Sequence, residues 1–222
     1  MIHIKKGTAP KKFQEFKQQT PQAHFDDMPT DVKVALRQSL LEEQGYLCAY
    51  CMRRIHDNHN EVKIEHYEPR NPQNELECSN LLAVCMGNSA GNQREHQHCD
   101  TKKGNKRLHV NPQNVDHIKQ ISYRSDGTIY ARNNDDFNDD LNSTLNLNDD
   151  YGYLKANRKK ALDELKKKIL SNFGNKAAGH VFAEKLLKNY LSKHRSGERT
   201  PYCGILIDYP TRHLKKWSQS KS

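Results

Sequence analysis

The sequence predicts an α+β protein whose small, loop-rich core is stabilised by a structural zinc ion. An N-terminal helix and a mainly helical C-terminal region are expected to flank this core. Cysteine, histidine, asparagine and glycine are dense between residues 48 and 110, where regular hydrophobic periodicity is scarce. Amphipathic helical patterns precede and follow this region. Because only 34% of the 222 residues are hydrophobic, a core of this kind needs an additional support such as a metal ion.

Composition is typical of a cytoplasmic protein. The chain contains no run of eighteen apolar residues, and its first residues lack the hydrophobic segment and cleavage site of a signal peptide. We therefore expect a cytoplasmic location and no membrane association. In a reducing compartment the six cysteines are expected to be free thiols or metal ligands rather than disulfides.

Positive charge is concentrated in the last third of the chain. The formal net charge is +9, which favours a polyanionic partner. Residues 151–222 contain 17 lysines and arginines against 5 aspartates and glutamates, which gives +12 for this segment and −3 for residues 1–150. A nucleic-acid backbone could be gripped by these C-terminal lysines, although charge runs are also the normal composition of a solvated helix face.

Four segments are predicted along the chain. They are an extended N-terminal arm (residues 1–29), a zinc-containing domain (30–120), a hairpin with an Asn/Asp-rich connector (121–150) and a basic helical region (151–222). The zinc-containing domain is expected to begin with a helix, because Thr30 is a capping residue and Gly45 is a stop signal. Asp126 and Gly127 form the turn pair of the predicted hairpin.

Two amphipathic helices are predicted within the basic region. The first is indicated by apolar residues at helical spacing, namely Leu162, Leu165, Ile169 and Phe173. The second follows a break at Gly174 and Gly179, and its face consists of Phe182, Leu186, Leu187, Tyr190 and Leu191.

A zinc site is predicted from the pattern Cys48-Ala-Tyr-Cys51, in which two thiolates can bind one ion. We favour Cys85 and Cys99 as the second pair of ligands. Cys85 ends an apolar run and Cys99 opens the segment CDTKKG, so the two residues bracket a single loop. The alternative interpretation is that these cysteines are buried apolar residues, as free cysteines often are.

The fourth zinc ligand is left open by the sequence. The loop before Cys99 is long for a zinc knuckle, and it ends in His96 and His98, either of which could replace Cys99. Cys78 and Cys203 are expected to be ordinary thiols.

The pair Glu65-His66 indicates a different kind of site. A carboxylate is a hard ligand suited to Mg²⁺, whereas an imidazole can take a proton from water. On an alternating strand the two side chains would point to opposite faces, so a shared site requires the backbone to turn, and Pro69 makes a bend just beyond them plausible. The alternative for His66 is a surface or packing histidine.

The order of these motifs resembles that of HNH endonucleases. The matching elements are CxxC, Glu-His-x-x-Pro, Asn-Leu, a cysteine with Gly-Asn, and Cys-Asp-x-x-Lys-Gly. More narrowly, IEHYEPR with CDTKKGN in a basic chain of this size is similar to the PtuB group, the HNH nucleases of Septu and retron-linked anti-phage systems. The resemblance implies a ββα-metal (HNH) core within the zinc-containing domain, structural Zn²⁺, and Mg²⁺ or Mn²⁺ as the catalytic ion.

The resemblance also implies roles for individual residues. His66 becomes the general base that activates water, and Glu65 a ligand of the catalytic ion. Asn80 orders the loop and holds the backbone of the histidine, although a plain turn residue or helix cap is an equally good interpretation. Asp100 completes the metal site at a position that is usually Asn or His in the family. The additional negative charge is expected to attract a hard ion more strongly.

Substrate and partners follow from charge and from the resemblance. Lys102 and Lys103 are predicted to meet a phosphate, the alternative being a solvated basic turn. DNA is the favoured substrate, and RNA, including tRNA, stays open because no element that recognises bases is identified. The resemblance implies a PtuA-like ATPase partner, docked by the N-terminal arm or the tail GILIDYPTRHLKKW, and a retron reverse transcriptase with its nucleic acid.

A second class of function fits the same residues. A zinc-stapled protein that binds nucleic acid, or an adaptor, with an inactive nuclease core is the alternative. It is kept open by Asp100, which departs from the usual residue, and by the long insert before Cys99.

Overall fold

In the part of the chain that the structure describes, helices account for most of the regular secondary structure, and two separate two-stranded sheets lie between them. The computed structural model describes residues 1–89, 93–151, 153–171 and 176–219, with the side chains of residues 176–180 and 215–219 left out. The helices are α1 (Lys11–Gln19), α2 (Thr30–Gln44), α3 (Cys99–Lys103), α4 (Val115–Gln120), α5 (Asp135–Asp139), α6 (Leu154–Ser171), α7 (Lys176–Leu191) and α8 (Cys203–Gln219). The strands are β1 (Val62–His66), β2 (Leu81–Cys85), β3 (Ile121–Tyr123) and β4 (Ile129–Ala131). The fold is therefore a mixed α+β fold, as predicted.

The N-terminal segment differs from the predicted extended arm. It contains α1, which packs against α2. Phe13 and Phe16 lie on one face of α1 and are buried, and Met1 and Ile4 are buried as well. The segment is poor in apolar residues, but the few that it has are spaced so that all reach the core.

The predicted helix from Thr30 is confirmed as α2. Gly45 follows it with φ of 66°, which is the left-handed conformation of a helix stop. The buried side chain of Gln44 donates to the carbonyl oxygens of Leu47 and Ala83 at 2.8 and 2.7 Å, and it accepts from the Ala83 N–H at 2.9 Å. These bonds tie α2 to β2 and satisfy polar groups that are buried there.

Strands β1 and β2 pair in an antiparallel hairpin. Val62 is opposite Cys85, and His66 is opposite Leu81. All five residues of β2 are buried, because α2 covers this strand and α3 also packs against it. The hairpin therefore positions the ends of both strands against α3.

The predicted hairpin is confirmed, with β3 and β4 antiparallel around Asp126 and Gly127. Arg158 of α6 is 1% exposed, and its guanidinium donates to the Gly127 and Leu147 carbonyl oxygens at 2.6 and 2.8 Å. The basic helical region is thereby joined to the hairpin through a buried cation.

The C-terminal tail begins with residues that pack inside the fold. Its helix α8 packs against α6, α7 and β3, and Cys203, Ile205 and Leu206 are buried. The apolar residues Ile205 and Leu206 of this tail are thus core residues. Phe173 and Gly174, which the sequence analysis names, lie outside the described residues, as does the side chain of Trp217.

Within the part of the chain that the structure describes, no helix is both long enough and apolar enough to cross a membrane.

Candidate functional site

Four cysteine thiols from separate parts of the chain lie together in the core. Cys48 and Cys51 lie in the turn after α2, Cys85 ends β2, and Cys99 begins α3. Their sulfur atoms lie within 4.8 Å of one another, and all four side chains are buried. The structure thus brings together the four cysteines favoured by the sequence analysis, and they could hold a metal ion such as zinc.

The sulfur spacing fits a tetrahedral zinc site. The Sγ atoms of Cys48 and Cys99 are 3.8 Å apart, as are those of Cys51 and Cys85. A zinc ion with Zn–S bonds of about 2.3 Å would place its sulfur ligands about 3.8 Å apart, whereas a disulfide requires about 2.05 Å. The donor set and its spacing therefore suit structural Zn²⁺ and not a disulfide.

Left-handed backbone conformations shape the loops that carry these ligands. Met52, directly after Cys51, has φ of 61°, and its N–H donates to the Cys48 carbonyl oxygen at 3.0 Å. Gly87 has φ of 57°, and a Cβ atom there would lie 2.1 Å from the carbonyl oxygen of His98. Only glycine suits that position, because the chain returns across it to reach the fourth cysteine.

Neither candidate histidine belongs to the cluster formed by the described cysteines. His98 is fully buried beside it, with Nδ1 3.2 Å from the Cys99 sulfur and 3.9 Å from the Cys85 sulfur. An N–H at this position can donate to a metal-bound thiolate and fix its orientation. His96 instead stacks on Tyr151 with a ring separation of 4.0 Å.

The ionisation of the cluster cysteines depends on whether a metal ion is bound. Burial raises the pKa values of Cys51 and Cys99 well above the ordinary value of 9.0. A bound cation would reverse this effect, because zinc binds thiolates and its binding releases protons. Cys78 is half-buried elsewhere, and Cys203 is buried in α8.

A separate open groove of about 600 Å³ lies at the end of β1, against α3. Glu65 and His66 both line it, together with Asp100 from α3. The strand ends at His66, which allows neighbouring side chains to reach one site although residues within a strand alternate between faces. Other residues around the groove are Lys63, Pro69, Arg70, Lys103 and Asn105.

Two carboxylates meet in this groove, and each has a lysine partner. Glu65 is 5% exposed, accepts from the Tyr50 hydroxyl at 3.2 Å and lies 2.7 Å from Lys103 Nζ. Asp100 is paired with Lys63, which reaches it from β1. The arrangement places two oxygen donors, the kind that Mg²⁺ and Mn²⁺ prefer, side by side.

The two carboxyl groups perturb each other in opposite directions. Burial, followed by the hydrogen bond and the charge of Asp100, raises the pKa of Glu65 to about 8 despite the opposing effect of Lys103. Burial would also raise the pKa of Asp100, but its hydrogen bond with Glu65 and its pair with Lys63 outweigh this effect and lower it. A raised pKa on one carboxyl group and a lowered pKa on its neighbour are typical of a pair that shares one proton. A divalent cation could replace that proton.

His66 is oriented by a backbone carbonyl. Its Nε2 lies 2.9 Å from the carbonyl oxygen of Glu75, so Nε2 carries the proton and Nδ1 keeps a free lone pair. The ring of Phe25 packs edge-on against the imidazole at 4.7 Å. Burial lowers the pKa of His66, which keeps the ring neutral at physiological pH. A neutral imidazole in a fixed tautomer is suited to accept a proton.

Asn80 organises the loop after the histidine and does not line the groove. Its side chain accepts from the Glu68 N–H at 2.7 Å and donates to the carbonyl oxygens of Glu68 and Asn74 at 3.2 and 3.3 Å. These contacts hold the backbone two residues beyond His66 rather than that of His66 itself.

The two lysines of α3 have different environments. Lys102 extends along the surface and donates to the Arg94 carbonyl oxygen at 3.0 Å. The side chain of Lys103 is 1% exposed and pairs with Glu65. The predicted phosphate contact is therefore compatible with the position of Lys102 and not with that of Lys103, because a buried and paired ammonium is withheld from a surface ligand.

Sequence reasoning missed several residues that build the groove. Tyr50 looked like a spacer within CxxC, and Glu75 acts through its main chain, so neither carried a signal. Lys63 did carry one, because it lies two residues before Glu65 and therefore shares its face of the strand. Arg70 lines the groove and forms a bidentate pair with Asp26 at 3.1 and 2.8 Å.

Comparison with known proteins gives a partial relative. No family model matches the chain. An Escherichia coli protein named "Retron Ec83 putative HNH endonuclease" is 36% identical over 83 residues, which cover 32% of this chain and 32% of that protein. The chain thus spans about a third of the length of the curated relative that it matches. The likeness is to a protein named as an HNH endonuclease, and it is confined to the aligned stretch.

Proposed function

We propose that the protein is a metal-dependent HNH endonuclease that hydrolyses phosphodiester bonds in nucleic acid. The observation that carries the proposal is the convergence of Glu65, His66 and Asp100 on one groove. In this interpretation β1, β2 and α3 form the ββα-metal core, and the four-cysteine cluster is its structural zinc site. The partial likeness to an HNH endonuclease supports the same class.

The proposed chemistry uses His66 as the general base. Its Nδ1 takes a proton from the attacking water, while the Glu75 carbonyl holds the ring in the required orientation. Glu65 and Asp100 would hold a hard divalent cation, Mg²⁺ or Mn²⁺. When bound, that cation would stabilise the negative charge that builds on the phosphate and on the leaving oxygen.

We also propose a substrate and a biological setting. DNA is the favoured substrate, with RNA or tRNA as the alternative, and Lys102 is proposed to contact a phosphate near the groove. The name of the Escherichia coli relative places that protein with a retron. Together with the resemblance to the PtuB group, this supports a role in anti-phage defence with a PtuA-like ATPase and a retron reverse transcriptase as partners.

One observation favours the alternative of an inactive binding or adaptor protein. Both carboxylates of the groove already have lysine partners, since Lys63 pairs with Asp100 and Lys103 with Glu65. A groove whose acidic charges are already balanced by lysines could bind a partner or nucleic acid without a catalytic cation.

A cleavage assay separates the two functions. Purified protein is incubated with labelled plasmid DNA, phage DNA and total tRNA in Mg²⁺, Mn²⁺ or EDTA, with and without an ATPase encoded beside it. The nuclease proposal predicts cutting that EDTA abolishes, and the substrate consumed decides between DNA and RNA. Folded protein that binds nucleic acid but leaves every substrate intact in both metals, with the ATPase present, would support the adaptor instead.

A further inference from the structure

Lys103 uses all of its hydrogen-bonding capacity inside the protein. Its Nζ lies 2.7 Å from Glu65 Oε1, 3.1 Å from the His66 carbonyl oxygen and 3.4 Å from the Gly104 carbonyl oxygen. A lysine ammonium has three N–H donors, so these three acceptors leave none for a phosphate. The side chain is 1% exposed, which also withholds it from a ligand in the groove.

These contacts connect the two elements that supply the site. Lys103 is the last residue of α3, the helix that carries Asp100, and both Glu65 and His66 lie at the end of β1. The Lys103 ammonium therefore holds the side chain of Glu65 and the main chain of His66. Helix α3 packs against β2, whereas Lys103 reaches across to β1 itself.

The energetics of a buried ion pair favour a geometric role. Removing a lysine and a carboxylate from water costs free energy that their attraction often fails to recover, and apolar replacements of equal volume are frequently as stable. A pair buried to this extent, 1% and 5% exposed, is therefore poorly explained by stability alone. Its contacts with the Glu65 carboxyl group and the His66 main chain instead point to a role in the groove.

We propose that Lys103 is a positioning residue that sets the geometry of the divalent-metal site by fixing Glu65 and the main chain of His66 relative to Asp100. The inference rests on the proposed function of this groove, and it replaces the phosphate contact that the sequence predicted for Lys103. In this role Lys103 acts through the metal ligands and never touches the substrate.

The test compares Lys103→Met with Lys102→Met, which removes the neighbouring surface ammonium of the same helix. Mn²⁺ affinity is measured by calorimetry without nucleic acid, and nucleic-acid affinity is measured against salt concentration in EDTA. Lys103→Met is expected to weaken Mn²⁺ binding 10- to 100-fold, the usual effect of removing a group that orients metal ligands. It should lower kcat with little change in KM and leave the salt dependence unchanged.

The control has the opposite pattern. Lys102→Met should keep the Mn²⁺ affinity and reduce the slope of log affinity against log salt by about 1, as expected for one lost phosphate contact. If Lys103→Met lowers that slope or leaves Mn²⁺ affinity unchanged, the positioning role is wrong.

A second variant addresses folding. Lys103→Gln keeps an N–H donor without the charge, and it is expected to recover part of the Mn²⁺ affinity lost in Lys103→Met. Zinc content and circular dichroism report whether each variant is folded, and unfolding of both would show a purely structural tie and overturn the proposal. Wild type that binds Mn²⁺ but cuts no nucleic acid would reject the proposed function while leaving the comparison of Mn²⁺ affinities valid.

Discussion

The Glu65 carboxyl group owes its properties to the side chains around it. Burial and the neighbouring Asp100 raise its pKa to about 8, while Tyr50 and Lys103 both hold its Oε1 atom in place. Two carboxyl groups that share a proton offer a divalent cation two oxygen ligands once that proton leaves. At the scale of single residues, the groove therefore combines a potential cation site with the neutral imidazole of His66.

The histidine is supported from outside by a second ion pair. The carbonyl oxygen of Glu75 orients His66. The buried carboxylate of Glu75 lies 2.6 Å from His24 Nδ1 and accepts a hydrogen bond from the Phe25 N–H at 3.1 Å. Phe25 in turn packs on the His66 ring. The N-terminal segment thus contributes directly to the site.

This pair predicts a pH-dependent contribution to stability. The hydrogen bond with Glu75 raises the pKa of His24 above 6.5, and the hydrogen bond with His24 lowers the pKa of Glu75 below 4.5. A raised histidine pKa contributes stability that is fully present below 6.5 and is lost as the pH rises through the raised value, provided that Glu75 remains ionised. Melting temperatures of wild type and His24→Ala between pH 5 and 9 should differ most near pH 5 to 6 and converge at alkaline pH. The exposed His59→Ala is the control, and an equal His24→Ala deficit at every pH would contradict the pairing.

Residue types could be predicted from the sequence better than residue environments. The resemblance to HNH endonucleases points to Glu65, His66 and Asp100, and the structure places all three around one groove. Sequence order cannot show which way a side chain turns. Lys103 appeared as one more cation of a basic turn, and only the packing of α3 against the hairpin shows that it is buried.

At the scale of elements, one hairpin and one short helix contribute residues to both candidate sites. Cys85 ends β2 and Cys99 begins α3, directly before Asp100. The cysteine cluster therefore anchors the helix that supplies an acidic residue to the groove. A helix of five residues is too short to be stable on its own, so α3 depends on this anchoring.

Loss of the metal is expected to affect both sites. Cys85→Ser should abolish stoichiometric zinc binding and lower the melting temperature strongly, because structural zinc contributes roughly 10 to 16 kcal/mol of apparent binding free energy in small domains. Cys78→Ser is the matched control, since Cys78 is a half-buried thiol outside the cluster. Zinc content by metal analysis and melting by circular dichroism check the prediction. Full zinc content in Cys85→Ser would contradict the four-cysteine site.

Elements with a strong local signal were predicted well. Helix α2 has a start residue, a periodic apolar face and a glycine stop, and the β3–β4 hairpin has an Asp-Gly turn. The N-terminal segment has no such signal. Its burial depends on distant contacts such as the pair between Lys6 and Glu43, 2.7 Å apart, which no local pattern reveals.

At the scale of the whole molecule, most of the positive charge and the candidate catalytic residues lie in different parts of the sequence. The groove belongs to residues 1–150, with a net charge of −3, whereas residues 151–222 carry +12. The two parts are joined by buried polar contacts, including Asp208 of α8, which accepts from the Ser122 hydroxyl at 2.9 Å. A basic surface of this kind can supply the phosphate contacts that a small groove lacks.

The exposed lysines of α6 test this division. The double variant Lys160→Gln/Lys167→Gln should weaken nucleic-acid binding and reduce the slope of log affinity against log salt by about 1.8, if both residues contact phosphates. Its kcat should stay close to that of wild type, because the chemistry is assigned to the groove. Fluorescence anisotropy at several salt concentrations checks the prediction, and an unchanged slope would identify these lysines as part of a solvated helix face.

The most direct test of a hydrolytic groove is the removal of its base. Labelled DNA and total tRNA are incubated with wild type, His66→Ala and the exposed control His59→Ala, each in Mg²⁺, Mn²⁺ and EDTA, with an ATPase encoded beside the protein included. The account predicts cutting by wild type and His59→Ala in the presence of metal, and a loss of at least 100-fold in His66→Ala with zinc content unchanged. Equal metal-dependent cutting by His66→Ala and wild type would contradict the assignment of His66 as the base.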